Sequence, residues 1–303
     1  MFLCVYILAS VIMEDFSFRC LCDLECLIQA SNSSVRFRNC RFIGLHNLNK
    51  CVVVSRGRSS FLLSLLVTCS FDHCTFQDMN FGIVSTSPVH INACQFSGIC
   101  ECSAHIELDF STPDDSLCVI SDTTTKGGTY GFLFSSENSS ILLQNTHVTQ
   151  TTLGLVLRGC FCIQHCSISH ASQIGIWVDR TSEGAFGTIS DCEILRCEEA
   201  VRTRLSDLSV RNTKICHCSC GFHILEGTAV TLRDNIVSDC RQMGFWVRDV
   251  QILRLLRNAV YDCKIGVKVH GGKSVQIEGN WFLYFKECAF SFMDHIVCFA
   301  CLF

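Results

Sequence analysis

The residues of this chain that are best suited to chemistry are His105, Glu107 and Asp109, which alternate along one short segment. In an extended strand alternate side chains point to the same side, so an imidazole and two carboxylates are expected to lie together. Such a set can act as a general acid and base. Because Cys100 and Cys102 come just before it, the segment also offers donor atoms for a metal ion. The competing interpretation is an exposed polar strand face, since no second paired cluster accompanies the segment.

Two segments that contain cysteine and histidine resemble zinc motifs in their spacing. They are Cys216-His217-Cys218-x-Cys220 and Cys160-x-Cys162-x-x-His165. Both follow the sequence repeat described below, which favours structural thiols over a metal centre. The pair Asp114-Asp115 and the run His270-Gly271-Gly272-Lys273 are interpreted as turns. We therefore predict no metal site, no cofactor and no catalytic constellation, because the sequence also has no phosphate loop, dinucleotide fingerprint or Ser-His-Asp set.

The composition predicts a folded chain without a long disordered region. Of its 303 residues 49% are hydrophobic and 17% are charged, and only 2 are prolines. The net charge of -4 is not that of a nucleic-acid binder, so no specific nucleic-acid partner is predicted. The apolar start, Met1 to Met13, is too short to span a membrane, and no other segment is predicted to span one. We expect this start to form a buried first strand or cap, with a degenerate signal peptide as the alternative.

A repeat runs through the sequence and is clearest between Leu208 and Val269. Each copy has an apolar residue, then after three positions a Thr, Asn or Cys that we call position zero, then another apolar residue two positions later. In the clearest copies a cysteine follows five residues after position zero, and a Gly-apolar-x-apolar segment comes soon after. Position zero is Cys40, Cys74, Cys94, Thr146, Cys166, Cys192, Thr213, Asn235, Asn258 and Asn280 in successive copies. From Thr146 onward the copies are 20, 26, 21, 22, 23 and 22 residues apart.

A period in the low twenties with short alternating strands is typical of a solenoid. Leucine-rich repeats require a dense leucine consensus, whereas β-branched residues, Phe and Cys fill the inward slots here. We therefore predict an all-β fold, a single-stranded right-handed parallel β-helix of the pectin-lyase-like type with about ten coils. Position-zero residues are expected to stack into an internal ladder that satisfies buried polar groups. The predicted ladder contains Cys166, Cys192, Thr213, Asn235, Asn258 and Asn280.

The repeat divides the chain into three parts. Residues 1–34 are expected to form an amino-terminal cap or first coil, and residues 35–292 the β-helix itself. The register of the repeat is lost near 45–66 and near 100–130, which predicts two insertions. The second is expected to hold about one irregular coil with protruding loops. The apolar residues 293–303 are expected to be a carboxy-terminal cap or a truncated end, because a solenoid must cover its last coil.

The 25 cysteines favour a reducing compartment. Many occupy apolar slots of the repeat, where a free thiol serves as a small hydrophobe. Equivalent residues on stacked coils lie ~4.8 Å apart, which is beyond the ~3.5–4.5 Å that a disulfide prefers between Cβ atoms. We expect an intracellular protein of the cytoplasm or nucleus, with a virion or a secreted protein as the alternatives.

Several runs of residues resemble a known family. The runs are Gly221 to Gly227, Arg233 to Cys240, Arg257 to Cys263 and, in style, Val35 to Gly44. They resemble the Cys-rich β-helix of the adenovirus early-region large transforming antigen and its capsid relative, the hexon-interlacing protein. A looser similarity is to cellular F-box proteins with such repeats and to a spindle protein that binds an SH2 adaptor.

The resemblance implies a non-catalytic scaffold for protein partners rather than an enzyme. In the viral family the β-helix either recruits a host ubiquitin ligase or trimerises on the particle surface. The residues that we expect to form one exposed interaction surface are Arg233, Trp246, Arg248 and Trp177. The alternatives are a homotrimeric capsid-surface protein and a carbohydrate-active lyase or hydrolase.

Overall fold

The chain folds as a right-handed parallel β-helix of about eleven turns, which confirms the predicted fold class. The computed structural model describes residues 5–7, 9–20, 26–31, 33–44, 50–55, 69–108, 116–179, 185–205, 207–293 and 299–302. These residues form β-strands and no helix. Within them no helix has the length and apolar character needed to cross a membrane. The chain divides into two compact units, Met1–Thr151 and Thr152–Phe303.

The described residues of unit 1, Met1–Thr151, form fifteen strands, and those that pair within the unit do so in parallel. The strands are β1 (Val5–Ile7), β2 (Val11–Glu14), β3 (Ser17–Arg19), β4 (Cys26–Ser31), β5 (Val35–Arg38), β6 (Arg41–Ile43), β7 (Lys50–Ser55), β8 (Cys69–Asp72), β9 (Thr75–Ser85), β10 (Val89–Asn92), β11 (Gln95–Glu107), β12 (Leu117–Ser121), β13 (Thr124–Lys126), β14 (Tyr130–Gln144) and β15 (His147–Thr149).

Unit 2, Thr152–Phe303, continues the numbering and its strands also pair in parallel. The strands are β16 (Leu153–Gln164), β17 (Ser167–Ser169), β18 (Ile174–Val178), β19 (Phe186–Ser190), β20 (Glu193–Leu195), β21 (Glu199–Thr203), β22 (Asp207–Arg211), β23 (Lys214–Cys216), β24 (Cys220–Arg233), β25 (Ile236–Ser238), β26 (Met243–Leu256), β27 (Ala259–Tyr261), β28 (Ile265–His270), β29 (Ser274–Glu278), β30 (Trp281–Leu283), β31 (Cys288–Met293) and β32 (Phe299–Leu302).

Each coil has three faces. Face A is the strand that precedes position zero, as in β19 and β22, and face B is the short strand that follows it, as in β20 and β23. Face C carries the Gly-apolar-x-apolar segment, as in β18 and β21. Long strands such as β24 and β26 pass from face C into face A of the next coil.

The interior of unit 1 is built from phenylalanine stacks. Phe42, Phe76 and Phe96 follow position zero by two residues, are buried, and face one another on successive coils. Their ring centroids are 4.7 and 4.6 Å apart and their planes are nearly parallel. The coil spacing of a parallel sheet therefore sets the separation of the rings, and each stack buries large apolar area.

The interior of unit 2 contains an amide ladder at position zero. The backbone N–H of Thr213 donates to Asn235 Oδ1 at 3.0 Å, the N–H of Asn235 to Asn258 Oδ1 at 3.0 Å, and the N–H of Asn258 to Asn280 Oδ1 at 2.7 Å. Cys166 and Cys192 hold the same slot in earlier coils, and each thiol donates to the carbonyl two residues before it. The structure thus places the six residues of the predicted ladder in one column, buried except for the half-exposed Asn280.

One residue in the left-handed conformation turns the chain between face A and face B. It immediately precedes position zero, as in Asn212, Asp234 and Arg257, with φ values of 48°, 56° and 51°. Short polar side chains tolerate this conformation better than branched ones, which explains the Asn, Asp and His residues that recur there. A second left-handed corner joins face B to face C.

The segment near 100–130 is more regular than the predicted irregular coil with protruding loops. Residues 117–121 and 124–126 form β12 and β13, which pair in register with β10 and β11 as an ordinary coil. Thr123 occupies position zero, and its Oγ1 accepts the N–H of Cys94 at 3.3 Å. The threonine run resembles a loop in composition, but Thr123 and Thr125 are buried. Residues 109–115 lie outside the described residues.

The structure also shows what the other three predicted segments form. Within 45–66, Lys50–Ser55 is a regular face C strand that pairs with β4 and β9, while 45–49 and 56–68 lie outside the described residues. The segment predicted as a cap or first coil contains β2 and β3, which pair with β5 and β6 as a coil does. In the final segment, 293–303, β32 pairs with β29 as a further face A strand.

Candidate functional site

Five outward residues of face C in unit 2 lie side by side on successive coils. Trp177 pairs with Arg202, Arg202 with His223, His223 with Trp246, and Trp246 with Lys268. We call these five residues the face C column. In the coils with His223, Trp246 and Lys268, the column residue is the x of the Gly-apolar-x-apolar segment. Its neighbours on both sides point inward and are buried, so strand alternation turns the column outward.

Small residues at the start of each face C strand let the coils approach closely. A Cβ atom on Gly221 would lie 2.4 Å from the Gly244 carbonyl oxygen, and one on Gly244 would lie 2.7 Å from that of Gly266. Backbone approach of this kind needs a small residue, and glycine fits it best. The column residues two positions later are consequently held at the inter-coil spacing of a sheet, which suits stacking of flat side chains.

His223 is the centre of the column. Its ring stacks on the indole of Trp246 with centroids 4.0 Å apart and planes 4° apart. Its Nδ1 lies 3.1 Å from Glu199 Oε2, and only 6% of its side chain is exposed. The Arg202 Nε lies 3.8 Å from the same carboxylate oxygen. Trp177, Trp246 and Lys268 are half-buried, so each keeps part of its side chain at the surface.

Glu199 supplies the negative charge beside His223 and Arg202. Burial acts to raise the pKa of Glu199, but the hydrogen bond and electrostatic attraction of His223 and the guanidinium of Arg202 outweigh it, so its pKa lies below its usual range. The carboxylate is therefore ionised at neutral pH and orients both the imidazole and the guanidinium. Arg202 and Lys268 then present positive charge beside aromatic rings, an arrangement that suits acidic and aromatic groups of a partner.

Three of the four predicted surface residues lie on face C, and one does not. Trp177 and Trp246 belong to the face C column, and Arg248 lies two residues beyond Trp246 on β26, 3.6 Å from Asp249. Arg233 ends β24 on face A, where it pairs in register with Arg211 and contacts Asp234 at 3.0 Å. The prediction that Arg233 shares one exposed side with Trp246 and Arg248 is therefore wrong. Sequence reasoning missed Arg202, His223 and Lys268, which the repeat itself places in the column.

Of the predicted set His105, Glu107 and Asp109, the first two lie on β11 within the described residues. His105 and Glu107 point to the same side, with His105 Nε2 3.9 Å from Glu107 Oε2. Asp109 lies outside the described residues. Cys100 is exposed, but Cys102 is buried and its thiol donates to the Ala104 carbonyl. Burial raises the pKa of Cys102 to about 12, so it is a poor metal ligand beside this group.

Of the two zinc-like segments, one forms a cluster with a residue of the next coil. Cys216, Cys218 and Cys220 are all buried, and Cys216 and the exposed His217 lie beside the exposed Asp239. In the other segment Cys160 and Cys162 are half-buried. Such a cross-coil set is visible in the sequence only when successive copies of the repeat are written in register.

A groove of about 370 Å³ lies on face A of unit 1. Among its lining residues Asp72 is the single carboxylate, and its Oδ1 lies 2.7 Å from Asn92 Nδ2 and 3.1 Å from His73 Nδ1. Glycoside hydrolysis ordinarily uses two carboxylates. The lining of this groove therefore lacks the second carboxylate that a glycoside hydrolase of this kind uses.

Comparison with known proteins supports the fold. Residues 153–295 match the family model of the right handed beta helix region. No curated protein matches the sequence. The adhesin PfbA, a surface protein of Streptococcus pneumoniae, is similar in structure at 9% identity and a TM-score of 0.46, covering 96% of this chain and 91% of its own. A point mutant of the periplasmic alginate epimerase AlgG is similar at 9% identity and a TM-score of 0.42, covering 87% and 74%. None of these matches supports the adenovirus resemblance, which stays a prediction.

Proposed function

We propose that this β-helix is a non-catalytic scaffold that binds a protein partner through the face C column of unit 2. The observation that carries the proposal is the stacked His223–Trp246 pair, fixed by Glu199 and flanked by Arg202 and Lys268. Binding hot spots are enriched in Trp and Arg held in ordered surroundings. The chemistry of the column fits a partner surface that carries acidic and aromatic side chains.

The resemblance to the adenovirus family extends this proposal. It adds that the chain is a viral protein of the cytoplasm or nucleus and that its partners are host factors such as a ubiquitin-ligase complex. The free thiols of the described cysteines are compatible with such a reducing location. Co-purification from the native source, followed by identification of what is bound, tests this part.

The surface is tested with matched tryptophan variants. Trp246→Ala removes a column residue, and Trp281→Ala removes a tryptophan on face B that is 71% exposed. We expect Trp246→Ala to weaken binding of the co-purified partner about 30-fold, as truncation of a hot-spot residue does, and Trp281→Ala to leave it unchanged. Isothermal titration with the purified partner gives both values, and melting curves verify that each variant is folded.

Charge reversal provides an independent test of the face C column. Lys268→Glu places a negative charge in the column, and Lys273→Glu places one at an exposed position outside it. We expect only Lys268→Glu to weaken binding. Equal affinity of all four variants would overturn the proposal. Turnover of an acidic polysaccharide that is lost in Asp109→Ala would instead support a carbohydrate-active enzyme, and a stable trimer in sedimentation would support the capsid-like alternative.

A further inference from the structure

Three metal-ligand side chains meet at the corner between faces B and C of unit 2. One donor atom from each of Cys216, His217 and Asp239 lies within 4.8 Å of the others. The Cys216 Sγ is 3.4 Å from Asp239 Oδ2, and the His217 Nδ1 is 4.0 Å from the same oxygen. We propose that this cluster is a binding site for a divalent transition metal of the zinc class.

The spacing of the donors agrees with such an ion. Zinc bonds of ~2.0 to ~2.3 Å place tetrahedral ligand atoms ~3.3 to ~3.7 Å apart. The sulfur-to-oxygen distance already falls in this range. The nitrogen-to-oxygen distance of 4.0 Å must shorten by ~0.7 Å, and the nitrogen-to-sulfur distance lies within 4.8 Å. The side chain of His217 is 58% exposed and can approach both partners by rotation. Binding releases the thiol proton of Cys216 to solvent and leaves a fourth position for water or a donor of a partner.

The backbone holds the three residues in place before any ion binds. His217 and Asp239 occupy the same left-handed corner on successive coils, with φ values of 58° and 53°. The His217 N–H donates to the Ser238 carbonyl and the Asp239 N–H to the Tyr261 carbonyl, both at 3.3 Å. Donor groups on a rigid frame need little reorganisation to bind.

Ser238 supports the cysteine from a neighbouring coil. It lies opposite Cys216 in the register, and its Oγ donates to the Cys216 Sγ at 3.2 Å. Burial and the nearby Asp239 carboxylate raise the pKa of Cys216, and the hydrogen bond from Ser238 acts in the opposite direction, towards the thiolate that binds metal. A second layer of this kind is typical of metal sites.

The repeat does not account for the cluster. The cysteines that the repeat explains lie inside the coil, as Cys218 does, whereas Cys216 is in an outward slot of β23. The matching outward slots hold Leu195, Ser238 and Tyr261. Among the described coils of unit 2, this corner is therefore the one that joins a thiol, an imidazole and a carboxylate.

The test uses the full chain, stripped of metal with a chelator and titrated with Zn²⁺ against a chromogenic competitor. We expect one tight equivalent, weakened at least ~100-fold in Cys216→Ala and in Asp239→Asn, because even neighbours of metal ligands contribute 10- to 100-fold. His217→Asn is the variant least disturbing to the fold, since Asn tolerates a left-handed corner. Substitution by Co²⁺ adds a thiolate-to-metal absorption band that disappears in Cys216→Ala.

Matched controls separate this site from adventitious thiol binding. Asp262→Asn and His170→Asn change the same corner on other coils, and Cys100→Ala removes an exposed thiol elsewhere. We expect all three to bind Zn²⁺ as the unaltered chain does. The proposal is overturned if no stoichiometric Zn²⁺ is bound, or if the folded Asp239→Asn and His217→Asn variants bind it undiminished.

Discussion

The substitution Asn258→Ala removes one residue of the amide ladder and tests how much the ladder stabilises unit 2. The Asn258 Oδ1 accepts hydrogen bonds from the backbone N and the Nδ2 of Asn235, both at 3.0 Å. Its Nδ2 donates to the Leu232 carbonyl at 2.8 Å and to Asn280 Oδ1 at 2.9 Å. The residue is 1% exposed, so water does not compete for these groups.

The expected loss of stability follows from what the truncation leaves behind. The backbone N–H of Asn235 stays buried without an acceptor, which costs about 1–3 kcal/mol. The remaining side-chain bonds contribute about 1 kcal/mol each in net terms, although Asn235 Nδ2 keeps its bond to the Val210 carbonyl. We therefore expect the free energy of unfolding to fall by about 3–5 kcal/mol.

The matched control is Asn280→Ala, at the half-exposed end of the ladder. Water can replace part of what Asn280 supplies to the N–H of Asn258, so we expect a smaller loss, about 1–2 kcal/mol. Denaturant unfolding gives the free energies, and hydrogen exchange reads the amide of Asn235 directly, which matters because repeat folds unfold in parts. A loss below about 1 kcal/mol for Asn258→Ala, or equal losses for the two variants, would refute the reasoning.

Three further predictions concern the coil contacts, the column and the thiols. Gly221→Ala should destabilise the protein by about 1–3 kcal/mol, measured as a lowered midpoint of denaturation, because its Cβ would meet the Gly244 carbonyl at 2.4 Å. The lowered pKa of Glu199 means that its stabilising contribution is present above its unfolded pKa and is lost as pH falls through the folded pKa. Melting temperatures of the unaltered chain should therefore fall more steeply between about pH 5 and pH 3 than those of Glu199→Gln. In native alkylation at pH 8 followed by mass spectrometry, exposed Cys100 should react while Cys102, whose pKa burial raises to about 12, reacts only after unfolding.

The sequence predicted the fold well because inward residues recur at fixed offsets from position zero. The offsets depend on the pitch of the coil and on strand alternation, both of which are local properties. The coil that contains Thr123 was predicted only as an irregular coil because a threonine run has loop-like composition, whereas its inward Thr125 pairs with Phe96 and Val148 in the core. Burial by neighbouring coils, and not local propensity, makes this segment a strand.

The surface was harder to predict than the interior. Arg233 and Trp246 are 13 residues apart, and β24 ends on face A before the chain returns to face C on β26. Outward residues are not constrained by the apolar pattern, so their grouping depends on where each corner falls. The left-handed residues at the corners carry that information, since His217 and Asp239 align one coil apart.

The corner between faces B and C of unit 2 carries one left-handed residue per coil at regular intervals. Its left-handed positions, one per coil, are His170, Arg196, His217, Asp239, Asp262 and Tyr284. In the first five of these the backbone N–H donates to a carbonyl of the following coil, as in the 3.2 Å bond from Asp262 N to the Leu283 carbonyl, so the backbone position is fixed whatever side chain it carries. Chemical groups can thus be exchanged along this corner at steps of ~4.8 Å with little disturbance to the interior. Substitutions at this corner would therefore place a chosen row of ligands or charges on the surface, one residue per coil.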